Sequence, residues 1–438
     1  MKFPSFKEIR CFLAETTRQA IEQPLYTFGI NAYRLGVKAV SPRNPKAADL
    51  DNGQKEIWDR LDAAVGEGQR WIWVHAASLG EFEQGRPLIE KIRKRHPEYK
   101  ILLTFFSPSG YNVRKDYQGA DCVCYLPFDT PKRVRRFLYK VNPEIAIFVK
   151  YEFWRNYLHE LWRRQIPTYI VSAVFRPDQK FFKKSCAWYG RWLKWYTRIF
   201  VQDQRSKDLL AKIGVTEVEV TGDTRFDRVT DILNSRKEIP ELDAFLGGKR
   251  GAGGRPFVMM FGSSWPEDEA VYGDWLRQRN QVKAVIAPHE YDAARLARLK
   301  ELVPGEGVLL SELKADPKAG EGKRVLIIDC FGLLSSAYAY ADAAYVGGGF
   351  GVSIHNINEA AVYGIPVVFG PNNQKFIEAQ ELKTLGGGLE VTSTESFSRH
   401  ADRLLFDPEE LAKRGRWAGE YIQEKTGASD KVLASIGL

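Results

Sequence analysis

At 438 residues the chain is too long for one compact core, given roughly 100–200 residues per domain. Hydrophobic residues at 44% and charged residues at 27% exclude long disorder and fibrous repeats. The net charge of +9 calls for an anionic partner (nucleic acid, an acidic small substrate or a membrane surface) without choosing among them.

The first 44 residues carry seven basic and three acidic side chains, and Leu25 to Val40 is largely apolar. Lys2, Lys7, Glu8, Arg10 and Glu15 interrupt any apolar leader. The longest uncharged run here, Gln23–Tyr33, is about half of the ~20 residues a spanning helix needs. Residues 1–44 therefore read as an amphipathic segment lying in a membrane interface. The five cysteines are odd in number and scattered, which speaks against a disulfide scaffold.

After residue 70 short apolar runs alternate with amphipathic, charged stretches. Strands are expected at 71–75, 101–105, 145–149, 168–172 and 199–202, with helices between, which implies a parallel sheet covered on both faces. Residues 238–255 hold Pro240, five glycines and several charges and read as a linker. Strands then resume at 257–261, 282–287, 325–328, 343–346 and 366–369. The expectation is an α/β protein with two Rossmann-like doubly wound domains, 45–237 and 256–438, facing a central crevice.

Four stretches carry candidate chemistry. His75-Ala-Ala-Ser-Leu-Gly-Glu81 runs from a strand end into a helix, putting Glu81 where a general base reaches a substrate hydroxyl. The plainer reading is an acidic residue favoured by the helix dipole. Residues 176–198 hold seven basic residues against Asp178. Taken as one helix, Lys183, Lys184, Arg191, Lys194 and Arg198 share a side bordered by Trp188, Trp192 and Trp195. That pattern suits the headgroup zone of an anionic bilayer; the alternative is an aromatic face packed on the core.

In Phe261 to Glu269, Ser264 is expected as N-cap with Glu267 completing a capping box, and Ser263 and Ser264 are placed to hold a phosphate. Last, Ala343–Gln374 has Glu359 as its single charge, within a Gly-rich loop that admits a nucleotide closely and offers a carboxylate to ribose. It matches neither GxGxxG nor Walker A.

Together these elements resemble the 3-deoxy-D-manno-oct-2-ulosonic acid (Kdo) transferases of lipid A assembly. The resemblance runs from about residue 25 to the C-terminus. It rests on H-A-x-S-x-G-E at 75–81, E-x-W-x-N as Glu152-Phe-Trp-Arg-Asn156, a G-N-x-K-F-D counterpart at Gly222–Asp227, and H-N-x-x-E at 355–359 with G-x-P-V and G-P following.

The resemblance implies a GT-B fold and an inverting transfer of Kdo from CMP-Kdo to a lipid A precursor, with neither metal nor cofactor. It implies work at the cytoplasmic face of a bacterial inner membrane. Glu81 inherits the role of general base, and Glu152 and Arg225 that of stabilising the transition state. Pro288, His289, Phe331, Gly332, Leu333, Asn356, Ile357, Asn358 and Glu359 inherit CMP contacts. The last helix is expected to return to the first domain.

The chain departs from the family pattern at Asp223 and Arg225 (for Asn and Lys), at Pro288-His289-Glu290 (for P-R-H) and at Trp265 (for His). The alternatives are a GT-B enzyme on another nucleotide sugar and a basic nucleic-acid-binding protein; oligomeric state is not legible.

Overall fold

A computed structural model describes residues 6–183, 186–251 and 253–438. The chain forms two compact units: Met1–Arg228 with Gly427–Leu438, and Val229–Thr426. In the first, β1 (Arg70–His75), β2 (Tyr99–Phe105), β3 (Cys122–Tyr125), β4 (Ile145–Val149), β5 (Thr168–Ala173), β6 (Arg198–Val201) and β7 (Val218–Val220) lie in the order β3-β2-β1-β4-β5-β6-β7. In the second, β8 (Val258–Ser264), β9 (Lys283–Pro288), β10 (Gly307–Leu309), β11 (Val325–Ile327), β12 (Ala343–Val346), β13 (Val367–Phe369) and β14 (Gly388–Glu390) lie in the order β10-β11-β9-β8-β12-β13-β14.

All neighbouring strands are parallel, β1 pairing Ile72 with Ile145 of β4 and His75 with Phe148. The sheets are buried on both faces, so their strands are continuous apolar runs rather than alternating ones. Strand order reverses between β1 and β4, and again between β8 and β12. Those reversals open a crevice at the carboxyl edge of each sheet. The strands absent from the sequence reading, β3, β7, β10 and β14, are the short edge strands of the two sheets.

Each core is rich in aromatic rings. Trp73 meets Phe137, Phe148 and Tyr157 at 5.0–5.4 Å between centroids, and its indole N–H donates to Thr104 Oγ1 at 2.8 Å. In the second unit Phe261 stacks on Tyr272 at 4.0 Å. Such ring pairs add about 0.5–1.5 kcal/mol beyond the area they bury.

Three sequence expectations change. The stretch 238–255 belongs to the body of the second unit: Pro240–Leu246 is a helix burying Leu242, Phe245 and Leu246. Arg255 grips both carboxylate oxygens of Asp342 at 2.7 Å. The chain passes between units at 228/229 and again at 426/427. The helix Ala428–Ile436 is anchored in the first unit, with Val432 and Leu433 in its core. Asp227 accepts the backbone N–H groups of Gly427 (2.5 Å) and Ser429 (2.6 Å).

The basic aromatic segment is no single helix. It breaks into a 3-10 turn Lys180–Phe182, a short helix Ala187–Trp192, a second 3-10 turn Leu193–Trp195 and then β6, which Arg198 opens. Trp192 and Trp195 are 1% and 9% exposed, and Trp188 packs against the same core. Arg191 pairs with Glu22, and Arg198 donates to Ser435 Oγ at 2.6 Å. Lys183 and Lys194 are exposed, and Lys184 lies outside the described residues. The aromatic side is core, so the cationic-aromatic membrane face is withdrawn.

The third change is in the first helix, Phe6–Val40, which over residues 22–40 is apolar on two sides rather than amphipathic. Tyr26, Ile30 and Val37 pack on the core, while Leu25, Phe28 and Leu35 are 63–72% exposed. Among the described residues no helix is long and apolar enough to cross a membrane.

Because Trp192 is a core residue, Trp192→Ala is expected to lower the unfolding free energy by about 3–5 kcal/mol without any lipid present. A shift of the denaturant midpoint measures this; an unchanged midpoint would restore the surface reading.

Candidate active site

At the first reversal, β1 ends at His75 and the chain turns through small residues into the helix Leu79–Arg95. Ser78 is its N-cap, and Glu81, three residues on, accepts the Ser78 backbone N–H at 3.1 Å. Half of the capping box is thus real, and it fixes the Glu81 carboxylate at the sheet's carboxyl edge. Burial, and then the negative charge of Glu152, push the Glu81 carboxyl above its ordinary pKa; His75 and the amides of Ser78 and Ala77 oppose them.

Glu152 follows β4, the strand beside β1, and is 7% exposed. His75 Nε2 stands 2.9 Å from Glu152 Oε2, to which the Trp154 indole N–H donates at 2.5 Å. The other His75 nitrogen is 2.9 Å from Thr104 Oγ1. A tautomer with its proton on Nε2 lets His75 donate to Glu152 and accept from the threonine hydroxyl. The Tyr196 hydroxyl donates to the Glu152 carbonyl at 2.6 Å.

The loop after β7 completes the cluster. Asp223 accepts the Arg225 backbone N–H (3.0 Å), its Nε (2.8 Å) and a Gln84 amide N–H (3.2 Å). Gln84 lies one helical turn beyond Glu81, so the loop that carries Arg225 is fastened to the Glu81 helix. Asp223, in place of the expected Asn, adds an ion pair that takes up part of the Arg225 donor capacity. Thr224 binds Ser172 Oγ at 2.8 Å, and Ser172 stands at a bulge of β5 with φ +53°. A non-glycine residue in that region carries strain, which the surrounding bonds hold in place.

The second unit repeats the arrangement at its own reversal. Ser263 stands at a bulge of β8 with φ +52°. The helix cap falls one residue later than expected: Trp265, not Ser264, precedes the helix Pro266–Gln278. Asp268, fully buried, accepts from the Trp265 N–H (2.9 Å), the Gly348 N–H (2.8 Å) and the Tyr345 hydroxyl (2.7 Å). Ser264 is inside, donating to Glu269 at 3.1 Å and accepting from the Tyr272 hydroxyl at 3.2 Å, so its side chain does not face a ligand.

Above this floor Trp265, His289 and His355 form a three-ring stack at 4.4 and 4.7 Å. The Trp265 indole N–H donates to His355 Nε2 at 3.1 Å. Burial and the adjacent His289 lower the His355 pKa, so the ring stays neutral with its remaining proton on Nδ1. The loop behind it is close-packed: a Cβ on Gly349 would stand 2.6 Å from the Gly370 backbone.

Asn356 donates to Glu359 Oε1 at 3.1 Å. Asn358 is buried, and its side-chain oxygen has no hydrogen-bond partner among the described residues. The Ile357 side chain is core. Pro288 and His289 close β9. Phe331, 81% exposed, meets Tyr291 edge-on at 4.4 Å; Gly332 (φ +80°) and Leu333 follow it. The structure thus gathers His289 and His355 with the Asn356–Glu359 loop, whereas Phe331–Leu333 belongs with Tyr291.

Sequence reasoning missed His75 and Trp154 as the donors to Glu152, and the ring stack. It also missed Arg295, which is buried and pairs with both oxygens of Glu269. That cation lies beside the loop lacking the expected arginine, yet an internal carboxylate engages it. No spacing rule announces a pair 77 residues apart; the one local signal was Trp154 inside E-x-W-x-N.

Two doubly wound sheets with their sites at the strand-order reversals are the architecture of GT-B glycosyltransferases. At the level of fold the chain is similar to the UDP-N-acetylglucosamine 2-epimerase of Neisseria meningitidis bound to UDP-GlcNAc (TM-score 0.58, 14% identity, 84% of this chain and 99% of that one). A putative enzyme of that name from Listeria monocytogenes gives a TM-score of 0.56, also at 14% identity, over 84% and 96% of the two chains. At such identities the likeness is one of fold alone.

Residues 52–228 match the family described as 3-deoxy-D-manno-octulosonic-acid transferase (kdotransferase). The chain is 26% identical over 373 residues to the 3-deoxy-D-manno-octulosonic acid transferase of Haemophilus influenzae, covering 83% of this chain and 85% of that protein. It is 25% identical over 346 residues to the protein of that name from Aquifex aeolicus, covering 78% and 87%. Residues 52–228 thus carry a Kdo transferase domain, and most of the chain is similar to Kdo transferases.

The raised Glu81 pKa has a stability consequence whose sign is fixed. The folded state binds this proton more tightly than the unfolded chain, so stability falls as pH rises from about 4.3, the unfolded value, through the folded one. Glu81→Gln removes that loss. Melting temperatures should coincide at pH 4 and favour the Gln variant increasingly toward pH 8; a variant less stable at pH 8 would contradict the assignment.

Proposed function

We propose that this protein is an inverting, metal-independent glycosyltransferase that moves Kdo from CMP-Kdo to a lipid A precursor at an anionic membrane surface. One observation carries the reading: Glu81 is fixed at the strand-order reversal with its proton affinity raised by burial and by Glu152. A carboxylate so tuned accepts the proton of an acceptor hydroxyl better than an ordinary glutamate. The deprotonated oxygen attacks the anomeric carbon as the bond to the CMP phosphate breaks. CMP departs with the bonding electrons, and a single displacement inverts the centre.

Arg225, paired with Asp223, is the cation assigned to transition-state charge, and Glu152 is held by His75 and Trp154. On the donor side, the neutral His355, His289 and the Asn356–Glu359 loop offer a ring surface and ribose-directed polar groups. Burial of Trp192 and Trp195 removes the stacking platform on which a nucleic-acid reading rests.

Support for a peripheral or monotopic seat on the cytoplasmic face of the inner membrane comes from the first helix. Leu25, Phe28 and Leu35 are exposed on the side opposite Tyr26, Ile30 and Val37, and Arg34, Lys38 and Arg43 lie nearby. Apolar side chains enter the lipid boundary while cations meet anionic headgroups.

Release of CMP should require both CMP-Kdo and the lipid A precursor, and should persist in EDTA. Glu81→Gln should cut kcat by about 10²–10⁴-fold with CMP binding retained; turnover at the parent rate would remove Glu81 as base. Replacing Leu25, Phe28 and Leu35 together by Ser should abolish co-sedimentation with anionic vesicles; undiminished sedimentation would refute that membrane seat. A thermal shift with CMP but none with UDP separates this reading from a UDP-sugar enzyme of the same fold.

A further inference from the structure

The second unit holds a cavity of about 440 Å³ that the donor loop does not use. Its walls include Arg236 and Lys237, just beyond the helix Arg225–Asn234, Lys249 and Arg250 from the following turn, and Tyr340 and Tyr363. Tyr340 precedes β12 by three residues and Tyr363 precedes β13 by four. Because every strand here runs parallel, these tyrosines mark the amino edge of the sheet. Ser263, His289 and His355 stand at the carboxyl edge, on the other side.

The lining is cationic and underused. Four basic side chains face one carboxylate, Glu238, which pairs with Lys249 at 2.9 Å. Arg250 spends one N–H on the Tyr363 carbonyl at 2.8 Å. The side chains of Arg236 and Lys237 make no hydrogen bond or ion pair among the described residues. The Tyr363 ring is 8% exposed, and its hydroxyl is enclosed with no hydrogen-bond partner among the described residues.

We propose that this cavity is a binding site for a phosphomonoester, distinct from the donor site. Arg236, Lys237 and Arg250 meet its charge, and Tyr340 and Tyr363 wall the organic part. Burial lowers the Arg250 pKa, a desolvation cost that a bound anion relieves. The volume exceeds that of a bare phosphate and lies within the range of small-ligand sites.

Calorimetric titration of the full chain with inorganic phosphate, at ionic strength held constant with chloride, tests the site. A parallel arm uses vesicles of phosphatidylcholine with and without phosphatidic acid. Binding should weaken at least tenfold in the double variant Arg236→Ala/Lys237→Ala. It should be unchanged in Lys318→Ala, an exposed cation that does not line the cavity. The charge-preserving pair Arg236→Lys/Lys237→Arg should retain it, which separates loss of charge from loss of fold. That dependence seen with free phosphate assigns a soluble ligand; seen with phosphatidic acid alone, it assigns a lipid headgroup. Absence of binding in both arms, or binding indifferent to residues 236 and 237, overturns the proposal.

Discussion

A carboxylate enclosed by protein must find donors, and Glu152 takes them from two rings. His75, the last residue of β1, and Trp154, two residues beyond Glu152, both point at Oε2, while Tyr196 holds the backbone carbonyl. Removing either ring leaves charge in a low-dielectric site, a change that costs several kcal/mol. The arrangement therefore ties the end of β1, the loop after β4 and the approach to β6 into one body. It also fixes the negative charge that Glu81 feels. The acid–base character of the site follows from this one buried group.

The second unit solves the same problem with different residues. Asp268 gathers two backbone amides and a tyrosine hydroxyl, and Glu269 takes Arg295. The acidic first turn of the helix Pro266–Gln278 thus works inward, fastening the loop after β8 to the loop after β12. With its charges satisfied from within, the floor beneath Trp265, His289 and His355 is rigid. The indole N–H on His355 then decides which imidazole nitrogen keeps its proton. Trp265, where the family pattern has His, brings a donor and a larger ring to that position.

Strands such as β1 and β4 were readable because doubly covered parallel strands are unbroken apolar runs, and Glu81 because an acid just after a strand end and a small-residue turn is a local pattern. The segment 183–198 misled because an angular count presumes one continuous helix. A short helix, a 3-10 turn and a strand start rotate the side chains off that count, and Trp192 and Trp195 turn inward. The stretch 238–255 misled differently. Its Gly-rich end, 247–255, has linker composition, while Pro240–Leu246 is a capped apolar turn too short for periodicity to reveal. The return of residues 427–438 to the first unit was expected from the resemblance; what fastens it is Asp227, 200 residues from Gly427.

The net charge of +9 marks the remaining division. The sequence by itself determined the parallel α/β class, the places where strands hand over to helices, and the motifs that carry the chemistry. All of these are written in runs of a few neighbouring residues. The tertiary structure alone decided how each charge is spent: Arg225 on Asp223, Arg295 on Glu269, Arg191 on Glu22. It likewise decided that Trp192 and Trp195 are core and that Leu25, Phe28 and Leu35 are surface. Burial and ion pairing are properties of distance in space. Apart from the Asp223–Arg225 turn, the partners lie far apart along the chain, where composition and spacing hold no record of them.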